Sequence, residues 1–253
     1  MIKRVVLRVV ATFKSSTVLD RMLPKQKRVS AKIIHCIGDS HVSVFSGYGT
    51  KSKPYMCPIW PGKSKNKNTI FKTYRVGPYT AYQLINKERQ INKIINMRSS
   101  NVLKGRDVIL FCFGEIDIRA HLTVQMKKQN LSSTEVIVKC INRYMQALKV
   151  YKQLGFDIAI WGPIASSPLQ SGCNEFPIIG SCIDRNNITM TFNEELKKMC
   201  IKNNYKYVSI FKQMLLESGE TNEKFLMDGF HLSQTAMPLI IKELKKKKLI
   251  NGE

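Results

Sequence analysis

Residues 33–41 read Ile-Ile-His-Cys-Ile-Gly-Asp-Ser-His, and the rest of the chain is organised around this stretch. Its apolar run is typical of a buried strand, so we predict a strand over residues 31–37. Gly38 permits a tight turn at the end of that strand, and Asp39 or Ser40 can cap the helix that follows. The pattern brings a serine to the edge of a sheet. Gly-Asp-Ser is also an ordinary turn sequence, so its meaning depends on the rest of the chain.

Predicted strands and helices alternate after this stretch. Apolar and periodic runs predict a short helix over 42–45, strands over 107–113, 156–164 and 207–211, and helices over 80–97, 134–154, 189–204 and after a capping Ser233. Residues 46–76 show no clear period and are interpreted as a long loop rich in lysine and aromatic residues. The alternation predicts a three-layer α/β/α sandwich with a mostly parallel sheet.

A ligand of such a sheet binds beyond the carboxyl ends of the strands. Ser40 follows the first predicted strand, and Gly-Glu-Ile-Asp at residues 114–117 follows the strand over 107–113. Because parallel strands end at the same edge, we expect these two segments to meet there.

The composition fits one globular domain with a strong positive charge. The 253 residues include 41 Lys and Arg against 18 Asp and Glu, a formal net charge of +23. No stretch approaches the roughly 18 to 20 apolar residues that a membrane span needs. The charge favours an anionic partner, which would be a polyanion, an acidic lipid surface or an acidic glycan. The alternative is that the lysines only solvate the surface. Nucleic acid is not expected, because no known binding motif is present.

Residues 1–30 are interpreted as a basic N-terminal extension, and residues 31–253 as the domain. Apolar residues recur at helical spacing near the N-terminus, with basic residues between them. This pattern predicts an amphipathic helix within residues 1–20, which would lie on a membrane surface or pack on the domain. Arg8 interrupts the apolar segment, so we do not expect a signal peptide.

The cysteines and histidines show no metal-binding spacing. The chain has seven cysteines and four histidines, and neither a metal ion nor a cofactor is expected. Reduced thiols and a cytoplasmic location follow from the cysteine pattern. Cys173 and Cys182 are close enough in sequence to pair, and the sequence leaves that pairing open.

A serine nucleophile needs a general base, and the base needs an acid to orient it. His231 is the candidate base, because it follows Asp228 by three residues and precedes the last predicted helix. At that spacing the carboxylate can reach the imidazole within one turn of the chain. The pair predicts the second half of a Ser-His-Asp arrangement that begins at Ser40.

Four blocks of the chain now resemble the SGNH/GDSL hydrolase family, in the family's order and over most of residues 31–248. They are Gly38-Asp39-Ser40, Arg75-Val76-Gly77-Pro78, Phe113-Gly114-Glu115-Ile116-Asp117 and Asp228-Gly229-Phe230-His231-Leu232. The first and last blocks are the more specific ones. The resemblance implies a flavodoxin-like SGNH hydrolase fold.

The resemblance also implies a catalytic triad of Ser40, His231 and Asp228 acting on an ester. The ester would be an O-acyl group, such as acetyl, on a carbohydrate or another small substrate. The backbone N–H groups of Ser40 and Gly77 would form the oxyanion hole. The alternatives are an acyltransferase that modifies a glycan with the same triad, and a non-catalytic protein that binds polyanions or glycans.

The third block departs from the family's Gly-x-Asn-Asp pattern. Ile116 replaces the asparagine whose side chain donates to the oxyanion, and losing one such donor typically costs about 10² to 10³ in rate. Either the protein is slow or inactive, or another donor substitutes, and Arg119 and Glu115 are the candidates for that donor. The Gly-Glu-Ile-Asp-x-Arg run resembles a variant subgroup. Residues predicted to contact the substrate are Asp39, His41, Glu115, Asp117 and Arg119. In the alternative, Glu115, Asp117 and Arg119 form a salt-bridge network that braces the edge of the sheet.

Overall fold

The computed structural model describes residues 32–53, 62–66, 69–96, 108–153, 155–170 and 177–250. The predicted N-terminal extension and its amphipathic helix lie outside these residues, as does Cys173. Cys182 carries a free, buried thiol. Among the described residues, no helix is both long and apolar enough to cross a membrane.

The described residues form strands alternating with helices. In chain order the main elements are β1 (Lys32–Gly38), a 3₁₀ helix (Ser40–Ser46), β2 (Gly62–Asn66), β3 (Thr69–Arg75), a 3₁₀ turn (Leu84–Lys87), α1 (Glu88–Asn96), β4 (Val108–Cys112), a π-helical segment (Asp117–Leu122), α2 (Thr123–Gln129), α3 (Ser133–Gln153), β5 (Asp157–Trp161), α4 (Cys182–Lys202), β6 (Lys206–Val208) and α5 (Met237–Lys246). Short 3₁₀ turns at Lys212–Met214, Glu223–Phe225 and Gln234–Ala236 lie between β6 and α5.

The strands of the described segments form one sheet in the order β2-β3-β1-β4-β5-β6. Strand β2 runs antiparallel to β3, and the other neighbours are parallel. The chain moves to one side of β1 through β3 and to the other side through β4, so the strand order reverses at β1. The crevice beyond the carboxyl end of such a strand is the usual ligand site of an open α/β sheet.

Apolar side chains cover both faces of the sheet. On one face, Ile109 and Phe111 of β4 pack in a core with Tyr144 of α3 and Phe192 of α4. On the other, residues of the same strands pack in a second core with Phe45 of the first 3₁₀ helix and with α5. Two buried faces explain why the central strands are apolar in nearly every position. The predicted three-layer α/β/α sandwich with a mostly parallel sheet is confirmed.

The interpretation of residues 46–76 as a loop was wrong in part, because β2 and β3 lie there. Strand β2 is an edge strand that carries Lys63 and Lys65, both exposed, so it shows no apolar alternation. Lysines on an edge strand are a common protection against unwanted strand pairing. Strand β3 alternates between buried and half-buried side chains but is only seven residues long.

Several boundaries also differ from the prediction. Helix α4 begins at Cys182 rather than at 189, because Ser181 and Asp184 form a capping box before the apolar period starts. Residues 80–87 form turns and a 3₁₀ segment rather than regular helix. The hydroxyl of Ser233 makes no cap bond, and the 3₁₀ turn that follows it precedes α5.

Candidate active site

Ser40, His231 and Asp228 lie in hydrogen-bonding order at the carboxyl end of β1. The Oγ atom of Ser40 is 2.8 Å from Nε2 of His231. Nδ1 of the same imidazole is 2.7 Å from Oδ2 of Asp228. These are the contacts expected of a nucleophile, a general base and an orienting acid.

The local sequence explains why Ser40 faces the histidine. An added Cβ at Gly38 would collide with the carbonyl oxygen of Cys112, so only glycine allows the chain to pass this close to β4. Asp39 then caps the 3₁₀ helix, since its side chain accepts a 2.8 Å hydrogen bond from the backbone N–H of His41. Ser40 is the first residue of that helix, and its side chain remains half-buried at the edge of the sheet.

The loop before α5 is shaped by the Asp228 carboxylate. Its Oδ1 atom accepts hydrogen bonds from the backbone N–H groups of Phe230 and His231, at 3.0 and 2.8 Å. Partial burial opposes ionisation, but these bonds and the imidazole hold the pKa of Asp228 well below its usual range. For His231, burial is the largest influence and lowers the pKa, and nearby His41 lowers it further. A neutral imidazole paired with an ionised carboxylate is the form that can accept a proton from serine.

Glu115 and Arg119 form a charged cluster with His41 beside the triad. The Glu115 carboxylate lies 3.1 Å from Nε2 of His41 and accepts a 2.7 Å hydrogen bond from Nε of Arg119. Burial opposes its ionisation, yet the interactions with His41 and Arg119 lower the pKa of Glu115 to about 2. The guanidinium of Arg119 also lies over the ring of Phe230, 5.2 Å from the ring centroid. The cluster therefore connects the turn after β4 to the loop that carries the base.

Comparisons with known proteins agree with this architecture. The chain is similar to a candidate acylhydrolase from Bacteroides fragilis, with a TM-score of 0.52, 14% identity, 96% of this chain covered and 100% of that one. It is also similar to a catalytic mutant of an acetylxylan esterase from Geobacillus stearothermophilus, with a TM-score of 0.50, 11% identity, 88% of this chain covered and 96% of that one. The fold is the SGNH hydrolase fold. No protein-family model matches the chain, and no curated protein sequence matches it.

The segment after β3 carries Gly77, the glycine of the second block. Gly77 is buried and has a φ of 115°, a conformation that L side chains rarely adopt. Gly38 and Arg75 are paired across β1 and β3, so Ser40 and Gly77 each lie two residues beyond a paired position. The topology thus brings the candidate nucleophile and the candidate oxyanion glycine to the same edge.

Asp117 differs from the sequence expectation. Its carboxylate is 1% exposed and accepts hydrogen bonds from the backbone N–H groups of Ala81 and Tyr82, at 2.7 and 3.1 Å. The thiol of Cys140 also contacts it, at 3.4 Å. These contacts make Asp117 a buried support for the segment after Gly77.

The other residues predicted to contact the substrate are mostly buried. Asp39 is buried, and burial raises the pKa of its carboxyl to about 6. His41 and Glu115 are buried as well, whereas Arg119 keeps about a tenth of its side chain exposed (11%). Arg119 donates two hydrogen bonds to Glu115, so much of its guanidinium is committed to that carboxylate. Ile116, which the resemblance matches to the family's asparagine, is 4% exposed.

Sequence reasoning missed Arg185, which is fully buried in α4. Its guanidinium donates to the backbone carbonyls of Ser167, Leu169 and Gly180, in the segment after β5. An added Cβ at Gly229, beside the candidate acid, would contact Leu169 at 2.9 Å. Arg185 thus holds a segment that packs against the loop of Asp228. An arginine within a helical pattern carries no sequence signal for this role.

Proposed function

We propose that this protein is a serine esterase of the SGNH hydrolase type. Its substrate would be an O-acyl ester. We propose more specifically that the acyl group is acetyl and that a carbohydrate carries it. The observation that carries the proposal is the continuous chain of contacts from Ser40 through His231 to Asp228, at 2.8 and 2.7 Å. The similarity in fold to esterases and acylhydrolases supports it.

Acylation begins when Oγ of Ser40 attacks the acyl carbonyl carbon. Nε2 of His231 accepts the serine proton, and Asp228 stabilises the imidazolium that results. The backbone N–H groups of Ser40 and Gly77 donate to the oxyanion of the tetrahedral intermediate. His231 then gives its proton to the oxygen of the departing alcohol, and the acyl group remains on Ser40.

Deacylation repeats these steps with water as the nucleophile. His231 accepts a proton from the water molecule that attacks the acyl carbonyl. Collapse of the second tetrahedral intermediate releases the carboxylic acid, and His231 returns a proton to Oγ of Ser40. The net reaction consumes one ester and one water and yields an alcohol and an acid.

The surroundings of Gly77 support a carbohydrate as the alcohol. Ring atoms of Tyr79 lie 3.6 and 3.7 Å from the position of a Cβ added at Gly77. The Nζ atom of Lys87 lies 4.6 Å from the centroid of that ring. An aromatic surface with a cation beside it suits a sugar ring, and a negative charge on the sugar would strengthen the contact.

The proposal is tested by labelling Ser40 with a fluorophosphonate and by assaying hydrolysis of p-nitrophenyl acetate. We expect both reactions in the wild type and neither in Ser40→Ala. Ser218→Ala is the matched control, because this serine is exposed and its hydroxyl pairs with the exposed loop residue Glu220, donating to the carboxylate and accepting from the backbone N–H. Hydrolysis in Ser40→Ala at the wild-type rate would overturn the assignment of the nucleophile.

The carbohydrate is tested separately with an acetylated oligosaccharide. Tyr79→Ala should raise KM for the oligosaccharide and leave KM for p-nitrophenyl acetate unchanged. Tyr82→Ala, which changes an exposed tyrosine of the same segment, should change neither value. An equal effect of Tyr79→Ala on both substrates would argue against a sugar at this ring.

Ile116 favours a second candidate function, a non-catalytic protein that binds polyanions on the same fold. An apolar side chain at this position cannot donate to an oxyanion. This alternative predicts that Ser40 is not labelled, and that the wild type binds an acidic polysaccharide with an affinity that falls steeply with salt.

A further inference from the structure

A second histidine lies beside the candidate base. The ring centroids of His41 and His231 are 5.0 Å apart, and the ring planes are inclined by 36°. His41 is 6% exposed, so solvent screens its effect on His231 only in part. The proposed mechanism assigns no step to His41, although it directly follows the nucleophile in sequence.

His41 lies between two carboxylates. Its Nε2 atom is 3.1 Å from Oε2 of Glu115, and its backbone N–H donates to Oδ1 of Asp39. The other ring nitrogen, Nδ1, and the other carboxylate oxygen of Asp39 are both buried and have no hydrogen-bond partner within the described part of the chain. Both residues line the same small pocket. The pocket beside the His41 imidazole is therefore lined by a carboxyl group as well.

The charged groups around His41 come from each neighbouring element. Asp39 lies on its own segment, Glu115 and Arg119 follow β4, and Asp228 and His231 come from the loop before α5. Burial and Arg119 oppose a charge on His41, whereas Glu115 and Asp39 favour it, and the balance raises the pKa of His41. The same cluster leaves Glu115 ionised, so a cation and an anion are buried as a pair.

We propose that His41 is an imidazolium at neutral pH, held by Glu115, and acts as a positioning residue whose fixed positive charge opposes protonation of His231. His41 does not touch the substrate in this scheme. It acts through the base, which it keeps in the neutral form that can accept the proton of Ser40. The catalytic consequence rests on the proposed esterase function, but the charge on His41 does not.

The effect should be large enough to measure. A unit charge 5.0 Å from a titrating ring shifts its pKa by about one unit, given a local dielectric between those of protein and water. Removing the charge should raise the pKa of His231 by that amount. The acid limb of the kcat/KM profile would then move about one pH unit toward higher pH.

The direct test is an NMR titration of the imidazole groups in the full-length protein. The chain has only four histidines, so single His→Gln variants assign every signal. We expect both ring nitrogens of His41 to be protonated in the wild type at pH 7, and the signals of His231 to titrate at a higher pH in His41→Gln. His121→Gln is the matched control, because His121 is partly exposed, and it should leave the titration of His231 unchanged.

Glu115→Gln provides a second variant that keeps His41 in place. Without its counterion, His41 should lose its extra proton at a lower pH than in the wild type. A neutral His41 in the wild type at pH 7, or an unchanged His231 titration in a folded His41→Gln protein, would overturn the inference. None of these measurements needs turnover, so a protein that fails the esterase assay still tests this inference.

Discussion

The carboxylate of Asp117 accepts a 2.7 Å hydrogen bond from the backbone N–H of Ala81, from 36 residues away in the chain. The turn after β4 therefore holds the segment that follows β3 and carries Gly77. A second bond to the N–H of Tyr82 restrains the same turn. A buried carboxylate thus supports the segment that carries the candidate oxyanion donor.

Replacing Asp117 by alanine should weaken both stability and catalysis. The two backbone N–H groups would lose their acceptor, at a cost of about 1–3 kcal/mol for each one left buried without a partner. We expect a lower urea midpoint and a lower kcat for p-nitrophenyl acetate. The control is Glu135→Gln, an exposed carboxylate at the start of α3, which should leave kcat unchanged. A normal kcat in a folded Asp117→Ala protein would show that Asp117 is not needed to position the oxyanion donor.

Ile116→Asn should increase activity by restoring the donor of the family pattern. One such donor is worth about 10² to 10³ in kcat, and we expect a rise of about 10-fold or more if the amide reaches the oxyanion. Stability should fall, because Ile116 is buried and its apolar contacts would be lost. Ile116→Val removes one methylene group without adding a donor and should not raise kcat. If Ile116→Asn is folded but no faster, another group already occupies the donor position.

Asp228→Asn should retain the fold and lose most of the activity. The asparagine oxygen can still accept from the backbone N–H groups of Phe230 and His231, but its amide favours the wrong tautomer of the imidazole. In a Ser-His-Asp triad this change lowers kcat by about 10⁴. Steady-state kinetics measure the loss of activity, and a urea denaturation curve measures the stability of the fold. Asp157→Asn changes an aspartate with a 66% exposed side chain, and wild-type kinetics are expected for it. A fall of less than 10-fold for Asp228→Asn would show that the acid is dispensable.

Asp39→Asn should stabilise the protein at neutral pH. Burial raises the pKa of Asp39 to about 6 in the folded state, against about 3.9 in an unfolded chain. Above pH 6 the folded protein must carry an ionised carboxylate in its interior, and that cost disappears as the pH falls toward 4. The side-chain oxygen of asparagine can still accept the hydrogen bond from the backbone N–H of His41, but the side chain carries no charge. We expect a gain of about 1–3 kcal/mol in the free energy of unfolding at pH 7.5.

The same comparison at pH 4 should show almost no gain, because Asp39 is then largely protonated in the folded state. Asp184→Asn is a control of opposite sign, because hydrogen bonds from Ser181 lower the pKa of Asp184 and the variant should be less stable at pH 7.5. Urea denaturation at both pH values measures each effect. A gain for Asp39→Asn that is equal at pH 7.5 and pH 4 would contradict the electrostatic explanation.

Features that depend on neighbours in sequence could be predicted from the sequence. The apolar run of β1 and the glycine turn before Ser40 are local patterns, and the structure has both. Asp228 and His231 are three residues apart, so their contact also forms within one turn. The alternation of apolar strands and amphipathic helices was sufficient for the three-layer architecture, because each element must bury its apolar face against another.

Contacts between residues that are distant in sequence could not be predicted, because they depend on how the strands and loops are arranged in space. Ser40 and His231 are 191 residues apart, and their contact exists because β1 and the loop before α5 end at the same edge of the sheet. The pairing of His41 with Glu115, and the use of Asp117 as a support for the Gly77 segment, depend on parallel neighbours β1, β3 and β4. Strand β2 escaped prediction because an edge strand can be polar. Around Gly38-Asp39-Ser40, local sequence shapes the turn, whereas the charges that surround it are set by long-range packing.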